Sequence, residues 1–152
     1  MSNFEYSKNG LALTQLSEGC KLDAYPDVGG VWTIGYGHTK GVKKGDTCTQ
    51  AQAEDWLKED IQTCVDAINR DVTVSINQNQ FDALVDFAFN LGIGALKNST
   101  LWRKLNAGDF AGAAAEFPKW DMAGGKHIKG LLARRIREQS LFLGKVSKWK
   151  SG

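Results

Sequence analysis

The stretch that decides the fold is S-E-G-C-K-L-D-A-Y-P-D-V-G-G-V-W-T-I-G-Y-G-H-T, residues 17–39. Ahead of it, Leu11, Leu13 and Leu16 supply apolar contacts for a helix capped by Ser7 and running to about Ser17–Glu18. Gly19 is placed to stop that helix, because glycine tolerates a left-handed backbone. Leu22–Tyr25 and Val31–Tyr36 then read as strands, and Pro26-Asp27-Val28-Gly29-Gly30 between them has the composition of a turn. A carboxyl at a helix end, Glu18, thus faces a carboxylate, Asp27, and a hydroxyl, Thr33, on a hairpin. Such a pair of acids can flank a sugar–sugar bond: one protonates the leaving oxygen, and the other handles water or the developing positive charge.

The environments suggest different roles for the two acids. An apolar helix before Glu18 and a tight turn after it predict partial desolvation, which keeps a carboxyl protonated and fit to act as a general acid. Backbone amides and water in the Gly-rich turn would keep Asp27 ionised, to activate water or stabilise an oxocarbenium-like state. Thr33 would orient that water. Residue types alone equally describe a solvated helix-end charge, a turn former and a strand residue. On that basis the plainer description has the advantage, since acids beside turns are common.

Outward from this stretch, 152 residues fit one compact domain, and a hydrophobic fraction of 42% suffices for a core. No run approaches the roughly 18 apolar residues of a membrane span. The polar start, Met-Ser-Asn-Phe-Glu-Tyr-Ser-Lys, shows no secretory signal, so a target outside the cytoplasm would need separate delivery. Cys20, Cys48 and Cys64 are odd in number and lack metal-ligand spacing, which predicts reduced thiols. Cys20 stands two residues from Glu18, leaving a redox effect on the site open. No cluster suits zinc or iron, and neither a metal nor another cofactor is expected. Residues 1–95 carry 7 Lys/Arg against 13 Asp/Glu, net −6, and residues 96–152 carry 12 against 4, net +8. The basic C-terminal third predicts attraction to a polyanion.

Helical signals dominate after residue 48. Thr49 and Gln52 fit a capping box, and Ala53, Leu57, Ile61, Cys64/Val65 and Ile68 follow at helical spacing. The resulting helix of about 20 residues would span roughly 30 Å. Gln78–Leu91 repeats the pattern through Phe81, Leu84, Val85, Ala88 and Phe89, stopping at Gly92. Shorter helices are expected at about 99–106 and 110–116, a turn at Gly124-Gly125, and a last helix over about 130–143 with Leu132, Ile136 and Leu143 on one face. Arg134, Arg135 and Arg137 make that helix basic. The expectation is that it packs its apolar face on the body and leaves its charges solvated or drawn to an anionic wall; membrane activity is the alternative. The fold class is α+β, with one N-terminal hairpin sheet and helices elsewhere.

The run E-x8-D-x5-T followed by I-G-Y-G-H-T resembles the active-site signature of phage-type lysozymes, the muramidase endolysins of tailed bacteriophages. Likeness continues in N-Q-N-Q-F-D-A-L-V-D-F-A-F-N-L-G (77–92), S-T-L-W-R-K-L-N (99–106) and R-R-I-R-E-Q-S-L-F-L-G (134–144), covering about residues 7–144. The resemblance implies a lysozyme-like fold over 1–152 as a single catalytic domain, its small hairpin lobe joined by the long helix to a helical lobe. It implies hydrolysis of the β-1,4 bond between N-acetylmuramic acid and N-acetylglucosamine in peptidoglycan, usually with inversion. Glu18 becomes the proton donor, Asp27 the second catalytic carboxylate and Thr33 the third member of the triad. Phe89 matches a cleft-lining aromatic, although its periodicity also suits the core. Trp120, in P-K-W-D, is a second candidate for substrate contact, and His38 is expected to be structural, in an ion pair or hydrogen bond. The resemblance further implies a monomer that binds no nucleic acid, accumulates in the host cytoplasm and reaches the wall after release by a holin. A lytic transglycosylase, which needs one acid/base residue, and a non-enzymatic cationic wall- or membrane-binding protein are the alternatives.

Overall fold

The computed structural model describes residues 3–145. The first helix, α1, spans Lys8–Glu18. It starts where Ser7 Oγ accepts the Gly10 amide at 3.1 Å, satisfying one of the donors a helix start leaves open. It ends at Gly19, whose φ of 67° and ψ of 163° lie in a region essentially reserved for glycine. Strands β1 (Lys21–Pro26) and β2 (Trp32–Gly35) pair antiparallel with Tyr25 opposite Thr33 and Pro26 opposite Trp32, the register slipping between Lys21 and Tyr25. Bridges from Asp23 to Thr47 and from Ile34 to His38 tie the following loop to this hairpin.

Helix α2, Gln50–Asp71, opens on the expected capping box: Gln52 donates its amide to Thr49 Oγ1 at 3.1 Å, and Gln52 Oε1 accepts the Thr49 amide at 2.8 Å. Its 22 residues reach about 33 Å, from the hairpin to the helical body. Helix α3, Gln78–Leu91, has a second capping box, Asn77 with Gln80, of the same construction. Every residue of α3 from Phe81 to Ala88 is buried. It packs against α1, α2 and the last helix, α7 (Lys129–Phe142). Between them come α4 (Ile93–Lys97), α5 (Thr100–Asn106), α6 (Phe110–Glu116), a 3-10 turn (Phe117–Lys119) and a small hairpin, β3 (Met122–Ala123) with β4 (Lys126–His127). Phe117 anchors the core, its ring 5.9 Å from that of Phe87 and 5.4 Å from that of Phe142. Among the described residues no helix is long and apolar enough to cross a membrane.

Three features depart from the sequence reading. Helix α4 and the β3–β4 pair were not expected; both are too short to show a hydrophobic period. The third is larger: α7 is oriented opposite to its hydropathy. Leu132, Ile136 and Leu143 are about two-fifths exposed, while Arg134, Arg135 and Glu138 are buried. The apolar stripe does not pack on the body. Beside Leu141 and Phe142, the buried face carries Arg134, Arg135 and Glu138, because α3 brings a matching carboxylate, Asp86, into the same interior. A buried ion survives only if it is paired and hydrogen-bonded.

Candidate active site

Glu18 is the last residue of α1, held so that its carboxyl meets the buried face of α7. Arg134 Nη1 donates to Glu18 Oε2 at 2.7 Å, across 116 residues of sequence. The apolar surroundings expected for Glu18 are therefore corrected: the fold supplies a guanidinium, and the side chain keeps 20% of its exposure. On its other side stands Gly37, in the turn after β2, with φ +82°. A Cβ there would lie 3.0 Å from Glu18 Oε1, so a bare backbone leaves this second oxygen its space.

Arg134 is fixed from behind. Its Nε donates to Asp86 Oδ2 and its Nη2 to Asp86 Oδ1, both at 2.9 Å, a bidentate grip. Thr14 Oγ1 donates to Asp86 Oδ1 at 2.7 Å, which leaves the Tyr6 hydroxyl to donate to Thr14 at 2.6 Å. Burial pushes the Asp86 carboxyl up, but the Arg134 charge and the hydrogen bonds from Glu138, Arg134 and Thr14 outweigh it and hold the group well below the ordinary range. Glu138 goes the other way. Its full burial and the neighbouring Asp86 push it well above the ordinary value, against the opposing pull of Arg135 and Arg134. Arg135 Nη2 donates to Glu138 Oε2 at 3.0 Å and to Asn90 Oδ1 at 2.7 Å, and its guanidinium carbon sits 5.1 Å from the centre of the Phe87 ring.

Asp27 lies at the hairpin turn, exposed, as the sequence suggested. Its Oδ1 accepts the amides of Gly29 at 2.9 Å and Val31 at 2.8 Å, which fixes the carboxylate against its own loop. The Val31 carbonyl in turn accepts the Asp27 amide and the Thr33 hydroxyl, each at 2.9 Å. With its proton engaged, the buried Thr33 oxygen has only lone pairs to offer a water molecule. Tyr25 senses both acids: burial raises its hydroxyl first, and the negative charges of Glu18 and Asp27 add to that.

Glu18 opens on a pocket of about 360 Å³ whose walls include Gly37, Lys40, Asp60, Phe89 and Asn90. Phe89 lines this pocket and also packs on the core. Trp120 does not line the pocket; its ring meets Phe87 edge-on at 5.4 Å, as part of the core's margin. His38 Nδ1 donates to Asp60 Oδ2 at 2.8 Å, and the ring stacks on Trp56 at 4.6 Å, a structural clamp between the hairpin's turn and α2. A larger pocket, about 440 Å³, lies where Asn3–Tyr6 crosses α2, away from the carboxylates. There Asn69 pins the Phe4 amide and carbonyl at 2.9 Å each, and the space follows the seam of the N-terminal segment. Arg134, Asp86, Asn90 and Tyr25 were not singled out for the site from sequence. All four stand in the quoted segments; Arg134 reads there as a solvated charge, and nothing local marks the roles of the other three.

A sequence profile described as "Phage lysozyme" matches residues 15–138. The chain is 46% identical over 140 residues to the endolysin of Acyrthosiphon pisum secondary endosymbiont phage 1, covering 90% of this chain and 96% of the relative. It is 48% identical to the endolysin of Bacillus phage PZA over 91% of its own length, and spans 55% of that longer protein. Among solved structures, the endolysin from Escherichia coli O157:H7 phage FAHEc1 superposes with a TM-score of 0.88 at 37% identity, covering 95% of this chain and 97% of the other.

Proposed function

The chain belongs to the phage lysozyme family, and we propose that it lyses host cells by hydrolysing the β-1,4 bond between N-acetylmuramic acid and N-acetylglucosamine in peptidoglycan. Glu18 gives its proton to the glycosidic oxygen as that bond breaks. A water held between Asp27 and the lone pairs of Thr33 adds its oxygen to the anomeric carbon, and its proton passes to Asp27. Attack from the face opposite the leaving group inverts the anomeric centre, which requires the two carboxyl groups to stand roughly 6.5–9.5 Å apart. Phe89 offers the sugar an apolar surface at the wall of the Glu18 pocket.

The observation that carries this reading is the contrast between the two acids. Glu18 has one oxygen taken by Arg134 and the other beside the bare backbone of Gly37. Asp27 has one oxygen taken by two backbone amides. Each acid is thus oriented by one oxygen and has the other for chemistry, as a donor–acceptor pair across a scissile bond needs.

The test is mass spectrometry of fragments released from purified peptidoglycan, with Glu18→Gln in parallel. Reducing N-acetylmuramic acid ends, and none from a folded Glu18→Gln variant, are expected. Fragments lighter by one water would make the protein a transglycosylase and remove the role of Asp27 with water. Full activity in the folded variant would remove Glu18 from the chemistry. The reading extends to delivery: the protein acts as a monomer, made in the host cytoplasm and admitted to the wall by a separate holin. Expression in a host with and without a membrane-permeabilising protein checks this; lysis at equal speed in both would refute the need for a holin.

A further inference from the structure

We propose that Asp86 is a positioning residue for the general acid, compensating the charge of Arg134 from the buried side so that the guanidinium orients Glu18 without depriving it of its proton. This rests on the reading of Glu18 as proton donor. The difficulty it resolves is electrostatic. An unaccompanied guanidinium 2.7 Å from a carboxyl favours the carboxylate, the form in which a general acid is useless.

The geometry distributes Arg134 unequally between its two acids. One nitrogen, Nη1, reaches Glu18, while Nε and Nη2 both go to Asp86. Asp86 is wholly buried and Arg134 nearly so, whereas Glu18 faces the pocket. The stronger, drier pair is therefore Arg134–Asp86, and Glu18 meets a guanidinium whose charge is already matched. Thr14, braced by Tyr6, supports Asp86 from α1. The other charged neighbours do not supply that compensation. On α7, Glu138 lies 4.0 Å from Arg134 Nε but 2.8 Å from Arg135 Nε, so it is the partner of Arg135. Arg135 is engaged with Glu138 and Asn90, and Arg137 donates to Ser17. On α3, Asp82 is turned to Ser7 and Gln78, and Cys64 on α2 is held as a neutral thiol by burial.

The experiment is the pH dependence of turnover on soluble peptidoglycan fragments for the full chain, Asp86→Asn, Asp86→Glu and Glu138→Gln. Loss of the general acid's proton shapes the alkaline limb of such a profile. In Asp86→Asn, Arg134 keeps its charge but loses its match, so the alkaline limb should move about one pH unit lower. Beyond the limb this is about a tenfold loss of rate at fixed pH. Asp86→Glu restores the charge and should return the limb while leaving a lower kcat. Glu138→Gln is isosteric and alters a group whose nearer partner is Arg135, and it should leave the limb in place. A rate loss in Asp86→Asn with an unmoved limb, or an equal shift in Glu138→Gln, would overturn the proposal. An active Glu18→Gln would instead remove its premise, so the two failures are distinct. Should Asp86→Asn not fold, a carboxyl-carbon NMR titration of the unaltered protein decides: Asp86 must stay ionised throughout the titration of Glu18, and Asp86 taking up a proton first refutes the idea.

Discussion

Gly10→Ala in α1 should destabilise the protein, although the same exchange in an open helix position stabilises it. Alanine is favoured over glycine within a helix by about 0.8–1.0 kcal/mol. Gly10 is buried, however, and a Cβ there would lie 2.6 Å from Tyr6 Cε1, 2.8 Å from Asp82 Cγ and 2.9 Å from Asp82 Cβ. Real contacts of this kind begin near 3.4 Å, so the neighbours must retreat by half an ångström or more. They are poorly able to. The Tyr6 hydroxyl is tied to Thr14 at 2.6 Å, and the wholly buried Asp82 takes hydrogen bonds from the Ser7 hydroxyl and amide and from Gln78 Nε2. Overpacking typically costs about 1–3 kcal/mol, and weakening one of those bonds to a buried carboxyl adds about 1–3 kcal/mol. Net of the propensity gain, a loss of about 1–5 kcal/mol is expected, lowering Tm by roughly 2–20 °C for a chain of this size. Urea and thermal unfolding followed by circular dichroism give the number. The matched control is Gly130→Ala in the first turn of α7, where nothing lies within 4 Å of the added Cβ. That variant should gain up to about 1 kcal/mol. If Gly10→Ala proves as stable as the parent, the α1–α3 seam is not the close contact described, and the reasoning fails.

Phe117→Ala removes a fully buried ring between Phe87 and Phe142 and should cost about 3–5 kcal/mol in urea unfolding; a loss under about 1.5 kcal/mol would mean that the core collapses into the space. Glu138 is raised in the folded state, so its contribution is fully present below the unfolded value near 4.3 and is lost as pH rises towards the folded value. Glu138→Gln should therefore gain on the parent by up to about 1.4 kcal/mol per pH unit above pH 4.5, and parallel stability profiles would contradict this. Burial, then the charge of Asp86, pushes the Cys64 thiol up to about 11. Maleimide at neutral pH should label Cys20 and Cys48 but reach Cys64 only in denaturant, as intact mass will show; a rapid third label would place Cys64 at the surface.

The elements bounded by short-range chemistry were legible. Ser7, Thr49 with Gln52, Gly19 and Gly92 mark helix ends because capping is satisfied within a few residues. The hairpin carrying Asp27 and Thr33 was legible for the same reason, its turn residues being local. What could not be read was whatever two distant segments decide together. Hydropathy assigns Leu132 and Ile136 inward and Arg134 outward, and it is overruled only by a carboxylate on α3 that no periodicity in α7 reveals. The Glu18–Arg134 contact joins positions 116 apart. The role of Trp120 turns on whether its ring faces a pocket or Phe87, and a junction of helix and loop permits either.

The backbone of Val31 joins Asp27 to Thr33: its amide donates to the carboxylate and its carbonyl accepts from the hydroxyl. The Val31 side chain, half exposed, takes no part in this. Position 31 is therefore almost free in identity and tightly bound in geometry. Any residue with an amide hydrogen satisfies Asp27 and Thr33, and proline alone is barred, since it has no proton for Asp27 Oδ1. Together with Val28, fully exposed at the tip of the same turn, it offers a place to graft charge or bulk while the Asp27–Thr33 frame stays as it is. Side-chain identity at these two positions can thus change within two residues of Asp27 and Thr33 while the backbone hydrogen bonds that join them persist.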